Sequence, residues 1–419
     1  MRAHILSNSL DVRVNRSIGE KALKISLNEV IIKSACAGLS LQSSDGSMPT
    51  GHNGPWNIPE TPVRNTAHWA MTFYKAYDIS GENHFRKAAV SACDYLFSKK
   101  ARPRKRAFSC LVSSNPCNGL IGQAWAIEPL VFLGDLLNRQ EYLTLSREVL
   151  LLHRYEEKFH MWRNSDLDGR STGLNYVLNH QLWFAAFHLI LGRKLNDEPL
   201  MNMARDFFTY LNYNMSFLAP GLIQHRISQQ KVLHTSLSDL LDQLPRRGLR
   251  HACIHTVQFL RDLANNIFVT NMKRKNRREV AIGYFPFVLY GFALAYAASR
   301  EELWWRKPIL KGIFQAIFSL VQGESYYTAS RASKYGWTYN PIGFEVSYAL
   351  NVFQASIEMN GGIKSIRWWL ERQLENHWNP SSGLMELNTK HPITLSARLY
   401  EATRLQDMEL TLSLKGRKN

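Results

Sequence analysis

Asn179-His180 is the residue pair of this sequence with the clearest capacity for proton chemistry. An imidazole takes up or releases a proton near neutral pH, and a neighbouring amide can hydrogen bond a ligand carboxylate. Tyr339 offers a phenol that could return a proton. A histidine at this position could equally be a core residue whose ring nitrogens are satisfied by hydrogen bonds.

Carboxylates in two loops suggest a second kind of chemistry. Asp45 lies in QSSDGSMP and Asp168 in DLDG. Paired carboxylates act as general acid and base on a glycosidic bond, so both residues are candidate catalytic groups. Both patterns also occur in ordinary turns. The other ligands of a calcium loop do not follow DLDG, and we predict neither a metal nor a cofactor.

The segment GHNGPWNIPETPVRNTAHW, residues 51–69, combines amide, carboxylate, imidazole and aromatic side chains between three prolines. Such side chains suit a sugar, since amides and carboxylates bind hydroxyls and an aromatic face covers the ring. Arg64 could hold a carboxylate bidentately, or pair with Glu60 instead. The predicted substrate-binding residues of this segment are His52, Asn53, Trp56, Glu60, Arg64 and His68.

Further candidate binding residues occur at the beginnings of later helical segments and in a later loop. Gly119 and Gly122 in NGLIGQAW allow close approach of a backbone or ligand. The candidates in these segments are Gln123, Asn175, Asn179, Trp183, Tyr335, Trp337 and Asn340.

The elements that position these residues follow a repeated plan. Apolar residues of 173–192 recur at intervals of three and four, which predicts a helix, and a second amphipathic run follows at 197–211. The same pairing recurs along the chain, and the first helix of each pair is the more apolar. Inner and outer layers of a helical ring explain that difference. We therefore predict an all-α fold, an (α/α)6 barrel of helical hairpins, with the long loops on one face.

The predicted domain organisation is simple. An N-terminal arm covers residues 1–19, a single toroid domain covers 20–410, and a basic tail covers 411–419. Residues 214–280 interrupt the plan and predict an extra hairpin or a lid insertion.

The net charge of +17 predicts a polyanionic partner, and basic runs at 99–106 and 273–278 concentrate it. These runs could be solvated loops or contacts to a polyanion. Nucleic acid is one candidate partner, and an acidic glycan or an anionic membrane surface is another; no nucleic-acid-binding motif accompanies the runs. The sequence shows neither a secretory leader nor an unbroken apolar membrane span, and its cysteines are scattered, which favours a cytoplasmic location. The oligomeric state stays open.

The chain resembles the six-hairpin glycosidase group, which includes the unsaturated glucuronyl hydrolases. The resemblance is carried by the segments QSSDGSMPTGHNGPWNIPETPVRNTAHW, NGLIGQAWAIEPL, NHQLWFAA, YNPIGFE and PITLSARLYEATRL. They are similar to glycosyl-hydrolase-like proteins encoded among surface-glycan assembly genes. Asn179-His180 also resembles the Asn-His pair of helical-toroid alginate lyases and heparinases. That resemblance implies that Asn neutralises the uronate, His or Tyr removes the C5 proton, and Tyr protonates the leaving oxygen.

Three functional hypotheses remain. The first is hydrolysis of a glycosidic bond in an acidic polysaccharide or oligosaccharide by Asp168 with Asp45 or Glu60, assisted by His180. The second is proton abstraction by His180 with Tyr339 as acid, which gives a uronate lyase or C5-epimerase. The third is a glycan-binding protein without catalysis.

Overall fold

The computed structural model describes residues 22–227, 271–305, 308–321, 323–354 and 362–413. Helices dominate this part of the chain. In chain order they are α1 (Leu27–Leu41), α2 (Val63–Ser80), α3 (Asn83–Phe97), α4 (Gly119–Leu136), α5 (Gln140–Leu151), α6 (Leu178–Leu195), α7 (Glu198–Asn214), α8 (Asn271–Ser299), α9 (Pro308–Val321), α10 (Glu324–Ala332), α11 (Gly343–Phe353), α12 (Gly362–His377) and α13 (Pro392–Ala397). A 3-10 segment, Arg398–Arg404, continues α13 and is called the closing segment below.

The helices form two concentric layers. In the inner layer α2 packs on α4, α4 on α6, α6 on α8, α8 on α11, α11 on the closing segment, and the closing segment on α2. The outer helices α3, α5, α7 and α12 each pack on the inner helix that adjoins them in the chain, and α1 packs on α2. The ring is therefore closed, and the predicted (α/α)6 toroid is confirmed.

Burial explains which helices are inside. Every residue of α4 from Gly119 to Val131 is buried, so this helix has no side that faces solvent, and its Gln123 and Glu128 have partners inside the protein. The outer helix α7 instead buries one stripe, which includes Leu200, Ala204 and Phe208. A helix enclosed by neighbours must be apolar around its whole circumference, whereas a helix on the surface needs one apolar face.

Short strands connect the helices. Strand β1 (Ala22–Ser26) pairs with β9 (Glu409–Ser413). The other strands are β2 (His52–Asn53), β3 (Ile58–Pro59), β4 (Tyr155–Glu156), β5 (Met161–Ser165), β6 (Ser171–Leu174), β7 (Phe217–Ala219) and β8 (Leu222–Ile223). The β1–β9 register runs antiparallel from Ala22 opposite Ser413 to Ser26 opposite Glu409. Residues 411–413, which we expected in a basic tail, thus form the end of β9 and help to close the ring.

Buried glutamines clamp two of the long loops to inner helices. Gln123 accepts a hydrogen bond from the backbone N–H of Phe108 (2.8 Å) and donates to its carbonyl (3.0 Å). Gln181 makes the same pair of bonds with Trp162, at 3.0 and 2.8 Å. Each amide satisfies both polar groups of a buried loop residue, as buried backbone requires. The role predicted for Gln123, ligand binding, is therefore replaced by a structural one.

The predicted insertion is described only at its ends. The β7–β8 hairpin leads to Ile227, and α8 begins at Asn271, thirteen residues before the predicted start at Tyr284. The two helices predicted at 232–244 and 248–267 lie outside the described residues. So do the arm at 1–19 and residues 414–419.

Helix α8 contains the one stretch of the described residues, Lys275–Ser299, that is long and apolar enough to cross a membrane. Of its most apolar window, 78% is buried inside the protein. The core helix of a ring meets the same criteria, and α8 packs on α6 and α11.

Buried histidines make the stability of the fold depend on pH. His188 is fully buried on α6, its Nδ1–H donates to the carbonyl of Phe184 (2.9 Å), and burial lowers its pKa to about 3. Since this folded-state pKa lies below the ordinary value of 6.5, the unfolded chain binds the proton more readily. The contribution of His188 is therefore complete above pH 6.5 and is lost as the pH falls toward 3.

We expect His188→Leu to remove this part of the acid sensitivity. The free energy of unfolding of the wild type should fall faster with decreasing pH than that of the variant, by up to about 1.4 kcal/mol per pH unit below 6.5. Denaturant titrations at several pH values measure the two slopes. Parallel slopes would contradict the assignment, whatever the difference in absolute stability.

Candidate active site

A cavity of about 220 Å³ opens at the end of the toroid where the inner helices begin. It is surrounded by the loop before α2 and by the beginnings of α4, α6, α11 and α13, with α8 on one side. The lining residues are Asn53, Gly54, Pro55, Trp56, Arg64, Asn118, Ile121, Trp125, Val177, Asn179, His180, His225, Tyr284, Phe287, Tyr339, Asn340 and Thr394.

The cavity brings together residues that lie far apart in the sequence. Those among the predicted site residues that line it are Asn53, Trp56, Arg64, Asn179, His180, Tyr339 and Asn340. They come from three of the segments that sequence analysis selected, which the ring places around one centre.

His180 is held at the edge of the cavity by an amide. Its Nδ1 lies 3.1 Å from Nδ2 of Asn175, and Nδ2 of Asn175 also donates to Oδ1 of Asn164 (2.8 Å). Burial lowers the pKa of His180 to about 3, with a smaller contribution from His225 and Arg226. The imidazole is therefore neutral at physiological pH. Asn175, predicted to bind substrate, instead binds this histidine.

His225 is a second imidazole in the lining that sequence analysis missed. It follows β8, its ring lies 4.6 Å from that of Tyr284, and burial lowers its pKa to about 4. Its segment, LIQHR, carries no motif, and only the packing of the β7–β8 hairpin on α8 and α9 places it at the cavity.

Arg64 provides the guanidinium in the lining. Its Nη1 lies 2.8 Å from Oε1 of Glu60, and both side chains are almost completely buried. Its guanidinium carbon lies 4.3 Å from the ring centre of Trp125, a cation–π contact. Among the described residues no group hydrogen bonds to Nε, which is buried. Glu60 does not line the cavity, and its side chain forms the ion pair with Arg64.

Trp56 forms the exposed part of the lining. Its Nε1–H donates to the hydroxyl of Tyr284 (2.8 Å), and its ring lies 5.6 Å from that of Tyr335. The residue is 53% exposed, so about half of its surface is open to solvent. Tyr335, a predicted binding residue, lies behind Trp56 and outside the lining.

The two loop aspartates lie outside the cavity. Asp45 accepts hydrogen bonds from the N–H and hydroxyl of Ser47 (3.1 and 2.6 Å) and pairs with Lys100 at 2.7 Å, and the bond from Lys100 lowers its pKa to about 2. Asp168 occupies an exposed turn closed by Asp166, within 4.0 Å of two arginines. The turn interpretation of both patterns fits these contacts, and the structure places neither carboxylate in the cavity.

Four other predicted binding residues also lie outside the lining. The ring of His52 lies 5.0 Å from that of His391 in a tilted arrangement, and the buried ring of His68 stacks on that of Tyr400 at 4.0 Å. Trp183 is buried, and its Nε1–H donates to the carbonyl of Phe287 (2.9 Å). Trp337 donates to Ser330 (2.6 Å) behind the wall. Aromatic and imidazole residues on inner helices thus fill the core as well as the site.

The ion pair under the cavity yields a stability prediction. Arg64→Met leaves Glu60 as a buried charge without its partner, and we expect a loss of about 3–5 kcal/mol in the free energy of unfolding. The double variant Arg64→Met, Glu60→Gln removes both charges and should recover a large part of that loss. Denaturant unfolding of the wild type, both single variants and the double variant measures the coupling. Additive effects would show that the pair contributes no coupling energy.

Comparison with known proteins agrees with the fold. Cellobiose 2-epimerase from Bacillus thermoamylovorans aligns with a TM-score of 0.59 at 9% identity, over 90% of this chain and 98% of that one. An unsaturated glucuronyl hydrolase specific for heparin aligns with a TM-score of 0.55 at 9% identity, over 90% and 94%. At this identity the likeness establishes the six-hairpin glycosidase-like fold, as the sequence resemblance predicted.

No family model matches the sequence. A relative is found by sequence in Haloferax volcanii, "Archaeal glycosylation protein Q", which is 36% identical over 389 residues, 92% of this chain and 99% of the relative. Identity at this level over nearly the full length of both chains shows common family membership. The chain therefore belongs to the family of archaeal glycosylation protein Q and is built on the six-hairpin glycosidase-like toroid.

Proposed function

We propose that the protein is a sugar-modifying enzyme that moves a proton on the carbon next to the carboxylate of a uronate residue, as a C5-epimerase. The observation that carries this proposal is the composition of the cavity lining. It holds two neutral imidazoles and two phenols, and no Asp or Glu of the described residues contributes to it.

Hydrolysis by paired carboxylates fits this lining poorly. Both stereochemical courses need two carboxyl groups that flank the scissile bond, about 5–10 Å apart. Asp45 and Asp168 lie outside the cavity, and Glu60 is engaged by Arg64. We therefore place hydrolysis, our first hypothesis from sequence, behind proton transfer.

The neutral groups of the lining suit proton transfer at carbon. Removal of a proton next to a carboxylate puts negative charge on the carboxylate oxygens, and hydrogen-bond donors aimed at those oxygens stabilise it. His180, His225 and Tyr339 are the side chains that could donate to the oxygens or exchange the carbon-bound proton. Return of the proton from the opposite face gives the epimer.

The charge around the cavity favours an acidic sugar. The inner helices α2, α4, α6 and α11 begin at the cavity, so the positive ends of their dipoles converge there. Arg64 adds a guanidinium whose Nη2 no described group engages. The +17 net charge of the chain would raise the local concentration of an anionic substrate.

The size of the cavity favours one sugar residue. Its 220 Å³ is below the roughly 300–1,000 Å³ of sites for larger ligands. The exposed part of Trp56 could cover a sugar ring. The names of the relative, a glycosylation protein, and of the structural neighbour, an epimerase, support a role in modifying a glycan.

Incubation in heavy water with uronate-containing glycans tests the proposal. We expect deuterium at C5 and the epimeric sugar by NMR and mass spectrometry, without chain shortening. New ultraviolet absorbance from an unsaturated uronate would indicate β-elimination by the same proton abstraction.

Variants assign the reaction to the cavity. His180→Gln and His225→Gln should each lower deuterium uptake by about 10²-fold or more. Asp168→Asn, in the exposed turn, should leave uptake unchanged. Shortening of the glycan without deuterium uptake, abolished by Asp168→Asn, would overturn the proposal in favour of hydrolysis.

A further inference from the structure

Asn175 and Asn164 lie behind His180, away from the groups that could touch a substrate. Asn175 follows β6, Asn164 lies in β5, and both precede α6. Asn175 is buried and its backbone is fixed as well, because its carbonyl accepts a hydrogen bond from Gln181 (2.6 Å). Both the backbone and the side chain of Asn175 are therefore fixed by hydrogen bonds.

The orientation of the Asn175 amide follows from a partner whose polarity is known. The backbone N–H of Val177 can only donate, and it donates to the Asn175 side chain at 2.9 Å. That atom must be Oδ1, so Nδ2 points toward Asn164 and His180. Nδ2 can only donate, and its two hydrogens meet Oδ1 of Asn164 at 2.8 Å and Nδ1 of His180 at 3.1 Å.

Gly119 shows how closely the three side chains are packed. It begins α4 with φ +57°, and a Cβ there would lie 3.0 Å from Oδ1 of Asn164, 3.1 Å from Nδ2 of Asn175 and 3.2 Å from Nδ1 of His180. No larger residue fits over this cluster without displacing it. The start of α4 thus holds the hydrogen-bond chain in place.

We propose that Asn175, oriented by Val177 and Asn164, is a positioning residue that fixes His180 in the tautomer protonated at Nε2, which makes His180 a neutral hydrogen-bond donor rather than the base. An Nδ1 that accepts a hydrogen bond carries no proton, so the single proton of the neutral ring resides on Nε2. Among the described residues no group accepts from Nε2, and His180 lines the cavity.

This assignment rests on the proposed function. It gives removal of the proton and stabilisation of the carboxylate oxygen to different groups. His225, as the base, removes the carbon-bound proton, the electron pair moves onto the carboxylate oxygen, and Tyr339, as the acid, can return a proton to the carbon. His180 stabilises that oxygen through Nε2–H without giving up its proton, as a neutral imidazole can. The titratable and charged groups against His180 are His225 and Arg226. Burial, with a smaller contribution from these two residues, keeps the pKa of His180 far below 6.5.

Nitrogen NMR of protein labelled with ¹⁵N-histidine measures the tautomer directly. The His180 signals are assigned by their loss in His180→Gln. We expect a protonated Nε2 and an unprotonated Nδ1 that persist as the pH falls through 6.5. A ring protonated at Nδ1, or one that titrates near 6.5, would overturn the inference. A second variant, His180→Asn, gives the same assignment where His180→Gln does not fold.

Asn175→Asp tests the positioning role. A carboxylate at this position accepts from Nδ1–H, so we expect the tautomer to switch, the pKa of His180 to rise and kcat to fall by about 10²-fold or more. Asn83→Asp, an exposed substitution at the start of α3, is the matched control and should change none of these. An unchanged tautomer in folded Asn175→Asp would refute the role of Asn175.

The two proposals fail separately because the spectrum needs no substrate. An Nε2-protonated His180 in a protein that never takes up deuterium would overturn the proposed function alone. Deuterium uptake with an Nδ1-protonated His180 would overturn the assignment of His180 and leave the proposed function standing.

Discussion

Buried pairs between arginine and glutamate hold the centre of the ring together. Arg398 lies between Glu345 and Glu401, all three with 1% exposed side chains, and Arg404 pairs with Glu128 on α4. Ions taken out of water lose several kcal/mol of solvation each, so each of these charges depends on its partner. Because the pairs join the closing segment to α4 and α11, this short segment can complete the ring.

The same pairs shape the floor of the cavity. Nη1 of Arg398 lies 3.3 Å from the carbonyl of Tyr339 and 3.4 Å from Oδ1 of Asn340, two lining residues. Its guanidinium carbon lies 4.8 Å from the ring centre of Phe287, a third. Burial raises the pKa of Glu345, and the charge of Arg398 opposes this rise. Groups that would contact substrate are thus anchored to a charged layer that cannot move without exposing unpaired ions.

The architecture was predictable from the periodicity of the apolar residues. Apolar residues at intervals of three and four define the helices, and the greater apolarity of every inner helix defines the layers. The site was predictable in part, since loops before inner helices had to meet at one end of the ring. Asn179, His180, Arg64 and Trp56 were found in this way.

The remainder depended on contacts that sequence does not encode locally. Asp45 and Asp168 have the residue type of catalysts, yet their turns satisfy them outside the cavity. His225 lies in a segment without a motif and reaches the cavity through the packing of a hairpin. Asn175 was correctly placed near the site, but its role follows from the direction of its hydrogen bonds, which only coordinates give.

The closure of the ring by segments far apart in the chain has a consequence for biosynthesis. Helix α2 precedes α13 and the closing segment, which cover one of its flanks, by most of the described chain, so α2 leaves the ribosome long before they do. Until then the nascent chain is an open arc with an apolar flank at each end, and closure must bring together segments separated by almost the entire described chain. Two such arcs present complementary ends to each other, so exchange of the last hairpin between nascent molecules is the misassembly to which this topology is most exposed.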